Sequence, residues 1–135
     1  MDIKPVKIEA TVMWAFLNKR NDMSGDYQVD LCNLSDEDSK ALKEIGVTVK
    51  YNEAKPEKGK YITCKSKNYE IDAYDTHGDK LAEDIVVGNG SKCRAIIGTY
   101  SWKFKNKSGI SPSIKKLVIT DLVRFERRDE EEEAL

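Results

Sequence analysis

The fold of this chain is decided by the stretch KCRAIIGTYSWKFK, Lys92–Lys105. Its first half alternates apolar and other residues with a period of two, which is typical of a β-strand with one buried face. The side expected to face a core carries small apolar residues: Cys93, Ala95 and Ile97. If the alternation continues, the opposite face of the strand presents its polar and aromatic residues to solvent.

That outward face carries the strongest indication of function. Two aromatic residues, Tyr100 and Trp102, lie among cations: Lys92, Arg94, Lys103, Lys105 and Lys107. Exposed rings stack on bases while cations follow phosphates, as binding of single-stranded nucleic acid requires. The alternative is that the rings turn inward through a bulge at Gly98 and line a second core. Of the three rings in this stretch, Phe104 is the one assigned to a core, because it has no polar group to offer to water.

Six further stretches show strand-like alternation or composition. They are VKIEATVMWAFL (6–17), YQVDLCNL (27–34), VTVKY (47–51), KYITCK (60–65), YEIDAYD (69–75) and IKKLVITDLVRFE (114–126). Trp14 and Phe16 fall on the apolar side of the first strand and are expected in the core. The segment NKSGISP (106–112) is expected to be a turn, as is DTHGDK (75–80) with Gly78.

The segment SDEDSKALKEIG (35–46) is the one convincing helix in the sequence. Ser35 can cap the free amides, the acids that follow it complement the positive helix end, and Gly46 offers a left-handed exit. The predicted fold class is therefore all-β, mainly β with one helix. It is a small β-barrel with the helix after the second strand.

A glycine-rich segment, DIVVGNGSK (84–92), precedes the long strand. It is not a P-loop, because Gly88 and Gly90 are too close together and the residues that follow alternate as a strand rather than a helix. Two interpretations stay open. The segment is either a structural corner of the barrel, or a corner whose free amides and Lys92 also contact phosphates.

Composition limits the other classes of function. The 135 residues fit one domain and contain no apolar run long enough for a membrane span, and no secretory leader, so a cytoplasmic location is expected. Cys32, Cys64 and Cys93 lie far apart within apolar patterns, which favours buried thiols over disulfides. With His77 assigned to a turn, no metal site and no cofactor are predicted.

Charge is distributed unevenly along the chain. Of its 24 acids, five form the run Asp129, Glu130, Glu131, Glu132 and Glu133, and all 23 Lys and Arg precede that run. Residues 1–128 therefore carry a surplus of four cations, although the formal net charge of the whole chain is -1. A mildly basic body with an acidic tail fits a protein that binds nucleic acid.

The segment Asp75–Leu135 resembles the single-stranded DNA-binding proteins of short-tailed bacteriophages. The resemblance rests on the DTHGDK turn, an acidic pair (83–84), IVVGNGSK, the YSW strand, a serine-rich turn, KLVITDLV and the acidic end. The N-terminal half agrees mainly in strand order, with a helix after the second strand. The resemblance implies an OB-fold domain over residues 1–126 and an acidic C-terminal tail over residues 127–135.

The family implies a protein that coats and protects single strands during phage DNA replication, recombination and repair, in the host cytoplasm. By position, Tyr100 and Trp102 fall on the stacking pair. Weaker candidates on neighbouring strands are Tyr61, Tyr69, Lys65 and Lys67. The resemblance implies that the tail, Asp129–Glu133 with Leu135, competes with DNA and recruits phage DNA polymerase and helicase/primase; a solubilising tail is the alternative. This tail is shorter than those of the family and ends without an aromatic residue. A homodimer stays open.

Two other classes of function are alternatives to DNA binding. An enzyme is not predicted. Glu70 and Asp72 share a solvated face of a strand, and the side chains of Glu83 and Asp84 point apart, so neither pair suits acid–base catalysis. The sequence also offers no nucleophile with a histidine to activate it. The other rival is a β-barrel adaptor of replication or recombination that acts mainly by protein–protein contacts.

Overall fold

The structure, a computed structural model, describes residues 4–21, 23, 25–67, 69–82 and 84–123. These residues form seven β-strands, one α-helix and a short 3-10 helix at Pro56–Lys58. The elements are β1 (Val6–Phe16), β2 (Tyr27–Cys32), α1 (Asp36–Glu44), β3 (Lys50–Tyr51), β4 (Lys60–Ser66), β5 (Ala73–Tyr74), β6 (Ser91–Phe104) and β7 (Lys107–Asp121). The predicted class, mainly β with one helix after the second strand, is confirmed. The predicted acidic tail, 127–135, lies outside the described residues.

All seven strands join one sheet in the order β3-β4-β2-β1-β6-β7-β5. β1 lies at its centre, antiparallel to β2 on one side and to β6 on the other. The sheet curls until β4 approaches β7, so its two halves enclose a common interior. β5 pairs with β7 in parallel and covers only two residues of it.

The interior is filled by the inward faces of β1, β2, β4, β6 and β7. Ile8, Val12, Leu31, Ile97 and Leu117 are among the side chains with almost no exposed surface. The three cysteines are free and buried, as the sequence predicts. Burial raises the pKa of Cys32 to about 11 and of Cys64 and Cys93 to about 12, so these thiols stay protonated at neutral pH.

Helix α1 follows the predicted capping pattern. The hydroxyl of Ser35 accepts a hydrogen bond from the amide of Asp38 at 3.1 Å, and Gly46 has a φ of +93° just beyond the helix. Leu42 is fully buried and places the helix against the core. The helix prediction is confirmed at both ends.

The expected core position of Trp14 is wrong. The pairing of β1 with β2 is irregular between Met13 and Phe16, and Trp14 adopts a φ of +51° within this bulge. The side-chain oxygen of Asn89 accepts a hydrogen bond from the Trp14 amide at 2.7 Å. The bulge breaks the alternation on which the expectation rested, so Trp14 is 50% exposed and Phe16 is only partly buried.

The expected turn NKSGISP is also wrong. Phe104 pairs with Lys107, so only Lys105 and Asn106 form the turn, with Lys105 at a φ of +54°. Pro112 continues β7 opposite Thr99, and no strand among the described residues pairs with this part of β7 on its other side. A proline is tolerated there, because its missing N–H would have faced no neighbouring strand. Two expected strands, 47–51 and 69–75, shrink to the two-residue β3 and β5.

A buried ion pair holds the segment before β4 against the barrel. Lys58 Nζ lies 2.7 Å from Asp30 Oδ2, and each side chain is only 9% exposed. Thr63 donates a hydrogen bond to the other carboxylate oxygen at 2.8 Å. Burial alone would lower the pKa of Lys58, but the hydrogen bond and the charge of Asp30 outweigh it and raise that pKa above its usual value.

Replacing Lys58 with Met should lower the free energy of unfolding by about 3 to 5 kcal/mol, because the Asp30 carboxylate would stay buried without its cation. The matched control is Lys60→Met, which breaks the exposed pair of Lys60 with Asp36 at 2.6 Å. Exposed pairs contribute little, so the control should change stability far less. Urea unfolding followed by circular dichroism measures both. Equal losses for the two variants would contradict the structural role of the buried pair.

Candidate nucleic-acid interface

A groove of about 1030 Å³ lies between the β6–β7 hairpin and the end of β4 with the segment that precedes β5. Its aromatic lining is Tyr69, Tyr74, Tyr100, Trp102 and Phe104. Its cationic lining is Lys65, Lys67, Lys103, Lys115 and Lys116. Asp26, Glu70 and Asp72 are its acids, so lysines outnumber acids five to three. Rings and a net positive charge therefore line the same surface.

The rings of the hairpin point outward, as one of the two sequence interpretations predicts. Trp102 is 40% exposed and Tyr100 is similarly exposed. The alternation of β6 places the last fully buried side chain at Ile97, after which the strand projects beyond the core. The alternative of a second core is wrong for these two rings.

Phe104 corrects the sequence analysis. It was assigned to a core, yet it is 67% exposed and lines the groove two residues beyond Trp102. The hairpin has run past the barrel at this point, and within the part of the chain that the structure describes no second layer buries the ring. The ammonium of Lys105 lies 5.4 Å from its centre, within range of a cation–π contact. The prediction for Phe104 was wrong because it rested on the lack of a polar group on the ring rather than on the position of the residue in the strand alternation.

A bulge in β7 directs a further cation into the groove. Ile96 pairs with Lys116 and Ile97 with Ile114, which leaves Lys115 without an opposite residue. Such an extra residue bends its strand and re-aims its side chain. Lys115 and Lys116 were not predicted as site residues. The KKL sequence was visible, but the bulge that turns Lys115 into the groove was not.

Several predicted residues meet in this groove. Two separate stretches of the chain line it together: Lys65, Lys67 and Tyr69 in one, and Tyr100, Trp102 and Lys103 in the other. Lys105 and Lys107 lie at the hairpin tip, exposed and next to Phe104. Lys105 and Lys107 are not part of the lining, and hereafter "the groove" means the surface formed by the lining residues given above.

Two predicted cations, Arg94 and Lys92, lie outside the groove. Arg94 lines a different groove of about 550 Å³ beside the start of α1, together with Glu37 and Asp38. Lys92 lines a third depression that does not include the rings. Arg94 and Tyr100 share one strand face by parity, but strand twist over six residues turns them toward different surfaces.

Tyr61 is also separated from the groove. Its ring lies beneath the ammonium of Lys58 at 3.9 Å, a cation–π contact that covers one face. Tyr61 therefore belongs with the buried ion pair of Lys58 and Asp30 rather than with the exposed rings.

The glycine-rich corner uses its amides internally. Gly88 donates to the carbonyl of Val123 at 2.6 Å, Gly90 to Val12 at 2.9 Å, and Ser91 to Gly88 at 3.2 Å. The φ of Gly90 is +96°, which explains the glycine there. Three amides of this corner that could have contacted phosphates therefore already donate hydrogen bonds within the protein. The corner instead joins β1, at Val12, to the residues that follow β7, at Val123.

Two further observations concern the described part of the chain. No helix in it is long and apolar enough to cross a membrane. No three side chains of His, Cys, Asp or Glu in it are gathered as ligands of a metal ion would be. His77 is exposed in its predicted turn, where the Asp75 carboxylate accepts hydrogen bonds from the amides of His77 and Asp79.

Comparison with solved structures relates the fold to bacteriophage proteins. The single-stranded DNA-binding protein of bacteriophage Enc34 in complex with ssDNA superposes with a TM-score of 0.66 at 14% identity, over 91% of this chain and 90% of that chain. A C-terminal truncation of the same protein gives 0.65 at 13%, over 90% and 89%. The resemblance stated from the sequence is confirmed at the level of the fold.

A second phage protein has the same architecture. It is gp2.5, a single-stranded DNA-binding protein encoded by bacteriophage T7, with a TM-score of 0.60 at 18% identity over 96% of this chain and 94% of that chain. No protein-family model matches the chain, and no curated protein matches it in sequence. The comparisons therefore establish a shared OB-like fold.

Proposed function

We propose that this protein binds single-stranded DNA in the groove, without catalysing a reaction. The observation that carries the proposal is the meeting of four exposed rings, Tyr69, Tyr100, Trp102 and Phe104, with five lysines on one surface. The shared fold adds support, because one of the similar proteins was solved with ssDNA bound.

The rings suit unpaired bases. Tyr100, Trp102 and Phe104 alternate along one strand, so their Cβ atoms are spaced by about 7 Å. Each exposed ring offers an apolar face to a base whose own face is exposed only in a single strand. Paired bases are stacked within a duplex, so the same rings would bind double-stranded DNA less well. Stacking does not depend on base identity, which fits a protein that binds any sequence.

The lysines suit the phosphates. Lys65, in β4, and Lys67, just after it, lie on one side of the groove, and Lys103 and Lys115 come from the hairpin on the other. A strand in the groove would have cations on both sides of its bases. Asp72 is paired with Lys80 at 3.2 Å, which offsets part of the acidic lining.

We further infer the biological setting from the phage proteins that share the fold. The protein would coat and protect single strands during phage DNA replication and recombination, in the host cytoplasm. The acidic run Asp129–Glu133 would compete with DNA for the lysines and bind replication proteins such as phage DNA polymerase and helicase/primase.

The first test compares two exposed tryptophans. Trp102→Ala should weaken binding of an oligothymidylate by about 5- to 150-fold, the range for one stacked base. Trp14→Ala is the matched control, because Trp14 is equally exposed but does not line the groove. Fluorescence anisotropy with labelled oligonucleotides of increasing length measures both and gives the site size. Unchanged affinity for folded Trp102→Ala, or tighter binding of the duplex, would contradict the proposal.

The second test is the dependence on salt. If the five lysines of the groove each contact one phosphate, log K against log salt should slope at about -3.5, since each contact in single strands contributes about 0.7. Lys67→Ala should reduce the slope by about 0.7, whereas Arg94→Ala, outside the groove, should leave it unchanged. A flat response in the parent protein would rule out the cationic path.

The third test concerns the tail. Deleting residues 129–135 should tighten DNA binding at low salt and have little effect at high salt, because salt screens the attraction of five tethered carboxylates to the lysines. Substituting the five acids by Asn and Gln is the control for chain length and should reproduce the deletion. Equal affinity of both variants and the parent protein at low salt would leave only a solubilising role.

A further inference from the structure

At two glycines on the groove side of the hairpin, a side chain of the opposite strand occupies the space that a side chain of the glycine's own would fill. A Cβ atom built on Gly109 would lie 2.6 Å from Cζ2 and 2.9 Å from Cε2 of Trp102, its cross-strand partner. A Cβ built on Gly98 would lie 2.6 Å from Cε of Lys115. Carbon atoms do not approach so closely without displacement, so each glycine leaves space that its neighbour fills.

Space, rather than backbone conformation, explains both glycines. Neither has the left-handed φ seen at Gly46 or Gly90, and both sit within regular strand pairing. Another residue could therefore adopt the same backbone. What it could not do is leave the indole of Trp102 or the stem of Lys115 where they lie.

We propose that Gly109 and Gly98 are positioning residues of the DNA site. Gly109 leaves the space in which Trp102 lies across the hairpin, and Gly98 leaves the space in which Lys115 lies. The proposal rests on the proposed function and deepens it. Each glycine acts through one side chain: Gly109 through a ring that stacks on a base, and Gly98 through an ammonium that meets a phosphate.

The position of Trp102 over Gly109 matters because the hairpin extends beyond the hydrophobic core at this point. The Nε1 side of the indole lies over Gly109, with Nε1 itself 3.1 Å from the position of the absent Cβ. The rest of the ring lines the groove. A ring already held in place loses less conformational freedom when a base stacks on it, which favours affinity.

The seat of Lys115 follows from the bulge in β7. The unpaired Lys115 crosses the hairpin, and its stem passes over Gly98, with Cγ 3.4 Å and Cδ 3.6 Å from the absent Cβ. Gly98 and Tyr100 are two residues apart on one face of β6, about 7 Å along the strand. The ammonium is thereby held beside the row of rings, where the backbone of a stacked strand would run.

The two glycines make opposite predictions about salt. In a Trp14→Phe background, where Trp102 is the sole tryptophan, Gly109→Ala should shift the emission of the free protein and weaken ssDNA binding about 5- to 30-fold. Its slope of log K against log salt should not change. Gly98→Ala should leave the emission of the free protein unchanged and reduce the slope by about 0.7, the value for one lost phosphate contact.

Controls separate this proposal from the proposed function and from misfolding. Ser108→Ala, next to Gly109 on β7, should change neither affinity nor slope. In a Trp102→Ala background, Gly109→Ala should have no further effect on binding, because the clashing ring is gone, and this double variant should fold even where the single one does not.

The outcomes decide between the two claims. Absence of ssDNA binding by the parent protein would overturn the proposed function. Normal ssDNA binding by the parent protein together with unchanged emission and affinity of Gly109→Ala would overturn only the seating of Trp102. A lowered salt slope for Gly109→Ala, or a further loss of affinity in the Trp102→Ala background, would likewise contradict it.

Discussion

The antiparallel pairing of β6 with β7 is the constraint on which the rest of the structure depends. The ladder runs from Lys92 opposite Asp121 to Phe104 opposite Lys107, with one residue of β7 bulged out at Thr120 and another at Lys115. Its first half supplies inward side chains to the core, including Cys93, Ile97 and Leu117. Its second half extends past the barrel, where the same alternation leaves aromatic rings in solvent. One continuous ladder therefore provides both stability and the candidate interface.

The irregular positions of this ladder shape the groove. The bulge at Lys115 gives the hairpin one cation that regular pairing would have directed elsewhere. Gly98 and Gly109 remove the side chains that would block Lys115 and Trp102. Exposed rings on a soluble protein usually mark an interaction surface, and these rings lie beside lysines from a second strand.

Much of the fold could be predicted from the sequence, because strand alternation and helix caps are local signals. Helix α1, the buried cysteines and the outward Tyr100 and Trp102 all follow from period and capping. The errors arose where non-local pairing overrides the local pattern. Trp14 lies in a bulge that only the pairing of β1 with β2 reveals, and the chain from Lys107 to Pro112 reads as a turn but pairs as a strand.

The site was less predictable than the fold for a related reason. Lysines at the hairpin and at the end of β4 were chosen for charge, and the curvature of the sheet brings these together. The same curvature carries Lys92 and Arg94 away from the rings, and sequence parity alone could not indicate this. The role of Gly109 could not be predicted from the sequence, because it depends on the absence of a side chain opposite Trp102.

In the proposed complex, unpaired DNA lies along the rings of the hairpin. A titration of the ¹⁵N-labelled protein with oligothymidylate, followed by NMR, tests this most directly. We expect the indole N–H signal of Trp102 and the amide signals of Tyr69, Tyr100 and Lys115 to shift together, while the indole signal of Trp14 stays in place. Shifts confined to the surface around Lys7 and Arg94, with the Trp102 indole unmoved, would contradict it.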